Sequence, residues 1–281
     1  MKKVIHLLMR WWALHMEVTK MIRAPEAVKI KEIIDETPTI KTFKFDTDIE
    51  AKPGEFLMLW HSTDEKPMSI SNIGDGELSI SVKNIGEFTS KLHELKVGDM
   101  IGVRGSYGNG FKTDFKDKKL LVIGGGVGMA PVTGLTRQLI KDNDVDVLLA
   151  ATTKDELLFL DELEKLDVNL HPCTDDGSYG FEGFASDCLT SLLEDRTYDY
   201  AFVCGPEIMM IGIFNILEDA NIPADYSLER YMKCALGVCG QCCVDNTGWR
   251  ICVEGPVFDS EQIKLIDEFG KYRRDASGVK Y

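Results

Sequence analysis

Residues 233–243 read KCALGVCGQCC, four cysteines in eleven residues, and Cys252 follows soon after. So much sulfur in so short a loop must be cross-linked, bound to a metal or left as inert thiol. Cys234, Cys239 and Cys242 stand as C-x4-C-x2-C, with Cys252 ten residues beyond the third. That is the spacing of plant-type [2Fe–2S] centres. A structural zinc site more often uses two separate C-x2-C pairs or a mixture with histidine, and no histidine lies nearby. Zinc stands as the second reading, and disulfides or inert thiols as the third. The small residues Ala235, Gly237 and Gly240 let the loop wrap closely and turn backbone N–H groups towards sulfur, which tunes a cluster's potential.

Five sulfurs exceed the four that such a centre needs, and hairpin register separates them. Asn246-Thr247-Gly248 makes a three-residue hairpin loop with glycine at the left-handed position. Asp245 then faces Trp249, Cys243 faces Ile251 and Cys242 faces Cys252, with Cys243 on the opposite side of the ribbon. This predicts Cys242 and Cys252 on one iron and Cys234 and Cys239 on the other. A two-residue loop would pair Cys243 with Cys252 instead.

The 281 residues are 44% hydrophobic and 28% charged, the composition of a globular chain with material for more than one core. A formal charge of −14 argues against a nucleic-acid partner. No run approaches the ~20 apolar residues of a membrane span. Residues 1–21 form an extension of doubtful status. Arg10 interrupts the apolar stretch and no A-x-A site follows, which counts against a signal peptide. Trp11, Trp12 and the basic residues would suit an interfacial helix. The favoured reading is translation from Met16 or Met21, in the cytoplasm, where crowded cysteines serve metals more often than disulfides.

Beyond this extension the texture changes twice. VKIKEIID, TIKTFKFD, GEFLMLW, PMSISNI, ELSISVKNI and DMIGVRGSYG alternate apolar and polar residues between turn signals, predicting an antiparallel β-barrel or sandwich. From Lys118 the chain alternates strand and helix. KKLLVIG, VDVLLAA, VNLHPC and YAFVCG read as strands, and VTGLTRQLIKD, DELLFLDELEKL, ASDCLTSLLEDR and EIMMIGIFNILEDA as helices. Such alternation implies a parallel sheet covered by helices.

LLVIGGGVGMAP is a strand, a flexible turn and a proline suited to the start of a helix. Its backbone can approach a pyrophosphate at a helix N-terminus. The G-x-G-x-x-G spacing is incomplete, because Met129 stands where the third glycine would fall. A merely tight strand–helix turn explains the segment equally well. KPMSIS reads in isolation as a barrel strand with Lys66 in solvent, NIGEFTSKL as a helix start, and Cys204 as one more buried thiol.

Taken in order, these pieces resemble the ferredoxin–NADP reductase superfamily: [RK]-P-x-S, G-x-x-T-S, GGGVGMAP, CGP. With LERYMKCALGVCGQC and VEGPVF added, the chain resembles the electron-transfer subunits of NAD-dependent dihydroorotate dehydrogenases, over roughly residues 22–262. The resemblance implies a barrel that binds FAD (22–115), an α/β NAD-binding domain (116–228), and a [2Fe–2S] module with a C-terminal tail (229–281). It places Lys66, Pro67, Met68 and Ser69 at the flavin, where relatives carry Arg in place of Lys66, and lysine supplies a point charge without the planar fork. Phe88 and Thr89 fall where amides meet the flavin pyrophosphate. Gly125, Gly126, Gly128 and Met129 match the nicotinamide-dinucleotide turn, and Thr174, Asp175, Asp176 and Gly177 a loop beside it. Cys204, Gly205 and Pro206 match the segment under the nicotinamide, and Cys234, Cys239, Cys242 and Cys252 the cluster ligands. Thr152 and Thr153 replace a phosphate-clamping Arg of some relatives, which favours NAD(H) over NADP(H), although Lys154 is adjacent. The implied partner is a catalytic dihydroorotate dehydrogenase subunit with its own flavin, assembled as a heterotetramer for pyrimidine biosynthesis. A related NAD(P)H:ferredoxin or sulfide/polysulfide oxidoreductase subunit is the alternative within redox chemistry, and a non-redox zinc module the alternative outside it. No acid–base pair or nucleophile motif stands out, and hydride and electron relay need none.

Overall fold

Alternation along the first strands closes a barrel. The computed structural model describes residues 24–281; the readings of residues 1–21 fall outside them. The barrel strands are β1 (Glu26–Thr37), β2 (Ile40–Asp46), β3 (Phe56–His61), β4 (Asp64–Ile73), β5 (Glu77–Lys83) and β6 (Met100–Tyr107). They pair antiparallel around the order β1-β2-β5-β4-β3-β6. Phe43 and Phe45 of β2 fill the interior while Lys44, on the other face, is only partly buried. A short helix, α1 (Glu87–His93), plugs one end through Phe88 and Leu92.

β3 is buried on both faces, and this decides what the barrel is attached to. Leu57 and Leu59 belong to the barrel core, whereas Phe56 and Met58 join a second core with Leu121, Met232, Cys242 and Cys252. Period-two alternation sends the two sets to opposite faces. The outer face of the barrel therefore packs directly on the cysteine module.

The α/β part comprises β7 (Lys119–Gly125), α2 (Met129–Leu139), β8 (Asp144–Ala151), α3 (Leu160–Leu163), β9 (Asn169–Thr174), β10 (Phe181–Glu182), α4 (Ala185–Asp195), β11 (Tyr200–Cys204), α5 (Glu207–Asp219) and β12 (Ala224–Ser227). Its sheet runs β10-β9-β8-β7-β11-β12-β13, where β13 (Val257–Asp259) comes from the EGPVFD segment of the cysteine region. β13 pairs antiparallel with β12, and every other pair is parallel. The helix α6 (Ser260–Ile263) follows, N-capped by Asp259. Among the described residues no helix is long and apolar enough to cross a membrane.

Two local expectations are corrected. DELLFLDELEKL is not one helix: a 3-10 turn (Lys154–Glu156) and α3 are separated by Phe159, which adopts φ 64°. Leu157, Leu158 and Phe159 are consecutive and all buried, and no single helix face can bury three adjacent side chains. Pro131 is the third α-helical residue, not the first, behind a 3-10 turn at Gly126–Gly128. It remains in the first turn, where its missing N–H costs nothing.

α2 also ties the two parts together. A Cβ on Gly134 would stand 3.2 Å from the Ser71 carbonyl of β4, and Arg137 donates to Asn72 Oδ1 at 2.8 Å. Glycine at this position lets the helix lie against the strand.

Candidate functional site

The glycine-rich turn and the CGP segment meet because β7 and β11 are neighbours, with Gly124 beside Cys204. A Cβ on Gly128 would lie 2.5 Å from Gly205 Cα and 2.6 Å from the Cys204 carbonyl oxygen. One on Gly125 would lie 2.5 Å from Met209 Sδ. These two glycines serve backbone approach, while Gly126 has φ 53° with open space around its Cβ position. The turn is thus closed to a side chain at Gly125 and Gly128 and open beside Gly126, where its backbone could be approached by the phosphates of a dinucleotide. Met129 is fully buried and fills the floor. Burial pushes the Cys204 thiol up to about 12, against a hydrogen bond with Ser227, so it stays neutral.

The Thr174–Gly177 loop leaves the end of β9 on the same side of the sheet. Thr174 Oγ1 donates to the Tyr179 carbonyl at 2.9 Å, and Asp176 Oδ1 accepts from Ser178 N–H and Oγ–H. Asp176 thereby shapes its own turn, while burial and the charges of Asp176 and Glu156 raise the Asp175 carboxyl. Lys154, the cation beside Thr152 and Thr153, lies 5.0 Å over the Tyr179 ring.

On the barrel, Pro67 is opposite Met58 and Ser69 opposite Phe56, so both share the outer face of β3. Met68 instead packs on the barrel core, leaving its backbone for any ligand contact. Lys66 pairs with Asp64 at 2.8 Å and lies 5.5 Å over the Tyr231 ring. The Thr89 hydroxyl accepts from Ile85 and Gly86 N–H at 3.0 Å each and donates to the Gly86 carbonyl. That leaves the amides of Phe88 and Thr89, which precede the first intrahelical bond from Ser90 to Gly86, as the groups for a pyrophosphate.

The cysteine loop differs in register from the hairpin expected. Cys243 bridges Arg250, Val244 N–H donates to the Trp249 carbonyl, and Ile251 N–H to that of Cys242. The connection has four residues, Asp245 to Gly248, closed by Gly248 N–H to the Val244 carbonyl with Asn246 and Gly248 both left-handed. Cys242 thus opposes Ile251, not Cys252. The two thiols meet nonetheless, because the chain turns at Arg250, whose carbonyl accepts from Val253 and Glu254 N–H, and this brings Cys252 back.

The four predicted ligands come together as two hydrogen-bonded pairs, Cys234 with Cys239 and Cys242 with Cys252. Burial pushes the Cys234 thiol up, but the N–H groups of Cys239, Leu236 and Val238 outweigh it and bring it down to about 7. A hydrogen bond from Cys252, against burial, lowers Cys242 to about 6, and Cys252 is raised in consequence. Leu236 N–H reaches Cys234 Sγ at 3.3 Å, and Ala235, Gly237 and Gly240 all take positive φ to wrap the loop. Among the described residues no three His, Cys, Asp or Glu side chains converge on a point. Two cysteine pairs, with the amide of Leu236 aimed at the Cys234 sulfur, fit a binuclear cluster, which takes two cysteines per iron. Cys243 belongs to neither pair. Replacing Cys243 with Ser is therefore expected to leave iron content and visible absorption unchanged, and a bleached protein would place Cys243 among the ligands.

Sequence reading missed the groups that lock this loop in place. Arg230, 6% exposed, forks onto Glu207 at 3.0 Å through both terminal nitrogens and donates Nε to Glu268 at 2.6 Å. Glu268 also accepts from Asp245 N–H and Arg274 at 3.0 Å, and Glu207 accepts from Arg273 at 2.8 Å. The residue after Pro206, the start of the module, its hairpin and the C-terminal tail are thus one ion network. Its partners lie up to 66 residues apart in sequence, and no local pattern announces them.

Comparison with known proteins agrees with this geometry. Residues 229–264 match the iron-sulfur cluster binding domain of dihydroorotate dehydrogenase B, and residues 122–213 match the oxidoreductase NAD-binding domain. Proteins of Methanothermobacter thermautotrophicus and Methanocaldococcus jannaschii, each named probable dihydroorotate dehydrogenase B (NAD(+)), electron transfer subunit, are 50% and 49% identical. The alignments cover 92% and 91% of this chain and 97% and 98% of theirs. Among solved structures, an NADH-dependent reduced ferredoxin-NADP oxidoreductase studied for flavin-based electron bifurcation superposes with a TM-score of 0.77 at 27% identity, over 89% of this chain and 95% of that one. A ferredoxin NADP+ reductase of Neisseria gonorrhoeae with bound FAD and NADP shares the fold at 20% identity and a TM-score of 0.63, over 70% of this chain and 92% of its own. The chain belongs to the electron-transfer subunits of dihydroorotate dehydrogenase B, within the ferredoxin–NADP reductase superfamily.

Proposed function

We propose that this chain is the electron-transfer subunit of a dihydroorotate dehydrogenase complex of pyrimidine biosynthesis, carrying FAD, [2Fe–2S] and NAD(H). It joins a catalytic subunit with its own flavin to the nicotinamide pool of the cytoplasm. The observation that carries this reading is the shared core: Phe56 and Met58 of the barrel, Leu121 of the α/β sheet, and Cys242 and Cys252 pack in one apolar cluster. Three cofactor sites built around one core are held at fixed mutual distance, as electron relay requires. When bound, the flavin supplies the exchange between a two-electron hydride carrier and a one-electron centre.

The chain's own residues bind and orient. The Gly125–Met129 turn and Cys204–Pro206 hold the dinucleotide, Asp175 and Asp176 border it, and Lys66–Ser69 with the amides of Phe88 and Thr89 hold the flavin. Cys234, Cys239, Cys242 and Cys252 ligate the cluster. The Cys204 thiol, kept neutral by burial, offers the nicotinamide an uncharged wall. The units follow the ranges 22–115, 116–228 and 229–281, the last lending β13 to the sheet of the second.

A second reading, transfer between NAD(P)H and ferredoxin, is favoured by the likeness to the bifurcating oxidoreductase. Anaerobic purification of the chain with its native partner separates the two. The expected result is a yellow-brown complex with flavin and two irons per chain that reduces NAD⁺ with dihydroorotate. NAD⁺ reduction by reduced ferredoxin alone would favour the second reading, and zinc without iron or flavin would end both.

A further inference from the structure

Strand order places β3 between β4 and β6, and on its outer face two charged side chains reach across it. Glu65 opposes Trp60, and Arg104 opposes Met58. Arg104 donates Nε to Glu65 Oε1 and Nη2 to Oε2, both at 2.6 Å, in a two-pronged pair. The side chains are only 10% and 21% exposed. Such a pair repays its desolvation only when the remaining donors are also used. The remaining terminal nitrogen of Arg104 donates to Tyr107 Oη at 2.9 Å and to the Cys234 carbonyl at 3.0 Å. The guanidinium also lies 5.2 Å over the Tyr107 ring. Glu65 directly precedes the Lys66–Ser69 stretch, so one ion pair spans from the flavin strand to the backbone of a cluster cysteine.

We infer that Arg104 is a positioning residue of the cluster: it fixes the Cys234 peptide against the flavin strand and raises the tendency of the cluster to take an electron, with Glu65 as the opposing charge. The inference rests on the function proposed above. A unit positive charge hydrogen-bonded to the peptide of an iron ligand, in a site mostly closed to water, favours the reduced and more negative cluster. Removing it leaves the Glu65 carboxylate unopposed nearby, and the shift reverses when the carboxylate is removed instead. Opposite signs from two halves of one salt bridge are the signature of an electrostatic role. A purely structural bridge would respond to either loss in the same way.

The test is an EPR-monitored redox titration of the full complex, co-expressed with its catalytic partner, for the wild type and four variants. Arg104→Gln should lower the one-electron reduction equilibrium constant of the cluster about tenfold, equivalent to about 59 mV. Glu65→Gln should raise it by a similar factor, and the double variant should return close to the wild type. Arg104→Lys, which keeps the charge and loses the fork, should stay within about threefold of the wild type. Arg104→Gln and Glu65→Gln shifting in the same direction, or both staying within about twofold, would overturn the inference. If Arg104→Gln assembles no cluster, Glu65→Gln decides alone: a raised constant supports the inference and an unchanged or lowered one sinks it. A wild-type complex with no [2Fe–2S] signal would instead refute the functional reading on which the inference stands.

Discussion

Cys242→Ser is expected to disconnect the chain from its catalytic partner while leaving NADH oxidation intact. Cys242 is 3% exposed and its thiol touches that of Cys252, itself 2% exposed, in the core that also contains Phe56 and Met58. A serine hydroxyl there is far harder to ionise than a thiol held near 6 and is a poor ligand for iron that prefers thiolate. The pair loses one of its two sulfurs, and the neighbouring Cys243, whose backbone bridges Arg250, belongs to neither pair. Iron content should fall to background and the visible bands should reduce to those of flavin. Dihydroorotate-driven NAD⁺ reduction should fall at least about 100-fold, which corresponds to about 2.7 kcal/mol. NADH oxidation by a soluble two-electron dye uses only the barrel and the α/β sheet and should stay within about threefold. An unbleached Cys242→Ser protein would mean that the cluster rests on another set of sulfurs.

Why Cys242 was legible and Arg104 was not has a physical explanation. The six barrel stretches, the βα alternation and the C-x4-C-x2-C spacing are local signals, each written within a dozen residues by side-chain period or ligand reach. Every one of the six stretches became a strand of the barrel, and KKLLVIG, VDVLLAA, VNLHPC and YAFVCG became strands of the sheet, while of the four expected helices DELLFLDELEKL broke into a 3-10 turn and a single helical turn. The hairpin at 243–252 failed by one residue, because loops of three and four residues differ only in how Asp245 is used, and here its N–H is taken by Glu268. Nothing near Asp245 reveals a partner on the C-terminal tail. The same holds for VFD, too short to read as a strand until β12 offers an edge, and for Arg104, whose acceptor is 130 residues away. The cofactor-binding positions are proposed from resemblance to a family, and their packing is seen only in the folded chain. Gly128 shows the difference, because the reason for glycine there is another stretch of backbone.

Gly128→Val should produce the converse of Cys242→Ser, a chain still joined to its partner but cut off from NADH. The new Cβ would lie 2.5 Å from Gly205 Cα and 2.6 Å from both the Cys204 carbonyl and Gly205 N, and backbone cannot swing aside as a side chain can. β7 and β11 are held by parallel pairing up to Gly124 and Cys204, so the strands stay and the turn beyond them must move outward. A displacement near 1 Å at a site that aligns hydride donor and acceptor costs about 100-fold in kcat/KM. The accompanying overpacking should destabilise the fold by about 1–3 kcal/mol, which leaves it folded at ordinary temperature. The cysteine pairs and Lys66–Ser69 are built on other segments, the 234–252 loop and β4, so flavin and iron content should match the wild type. Electron delivery from dihydroorotate to a soluble acceptor should persist while NAD⁺ reduction collapses. If both variants lost both half-reactions together, the cofactor sites would be one inseparable unit, and the division of labour among barrel, sheet and cysteine loop would be wrong.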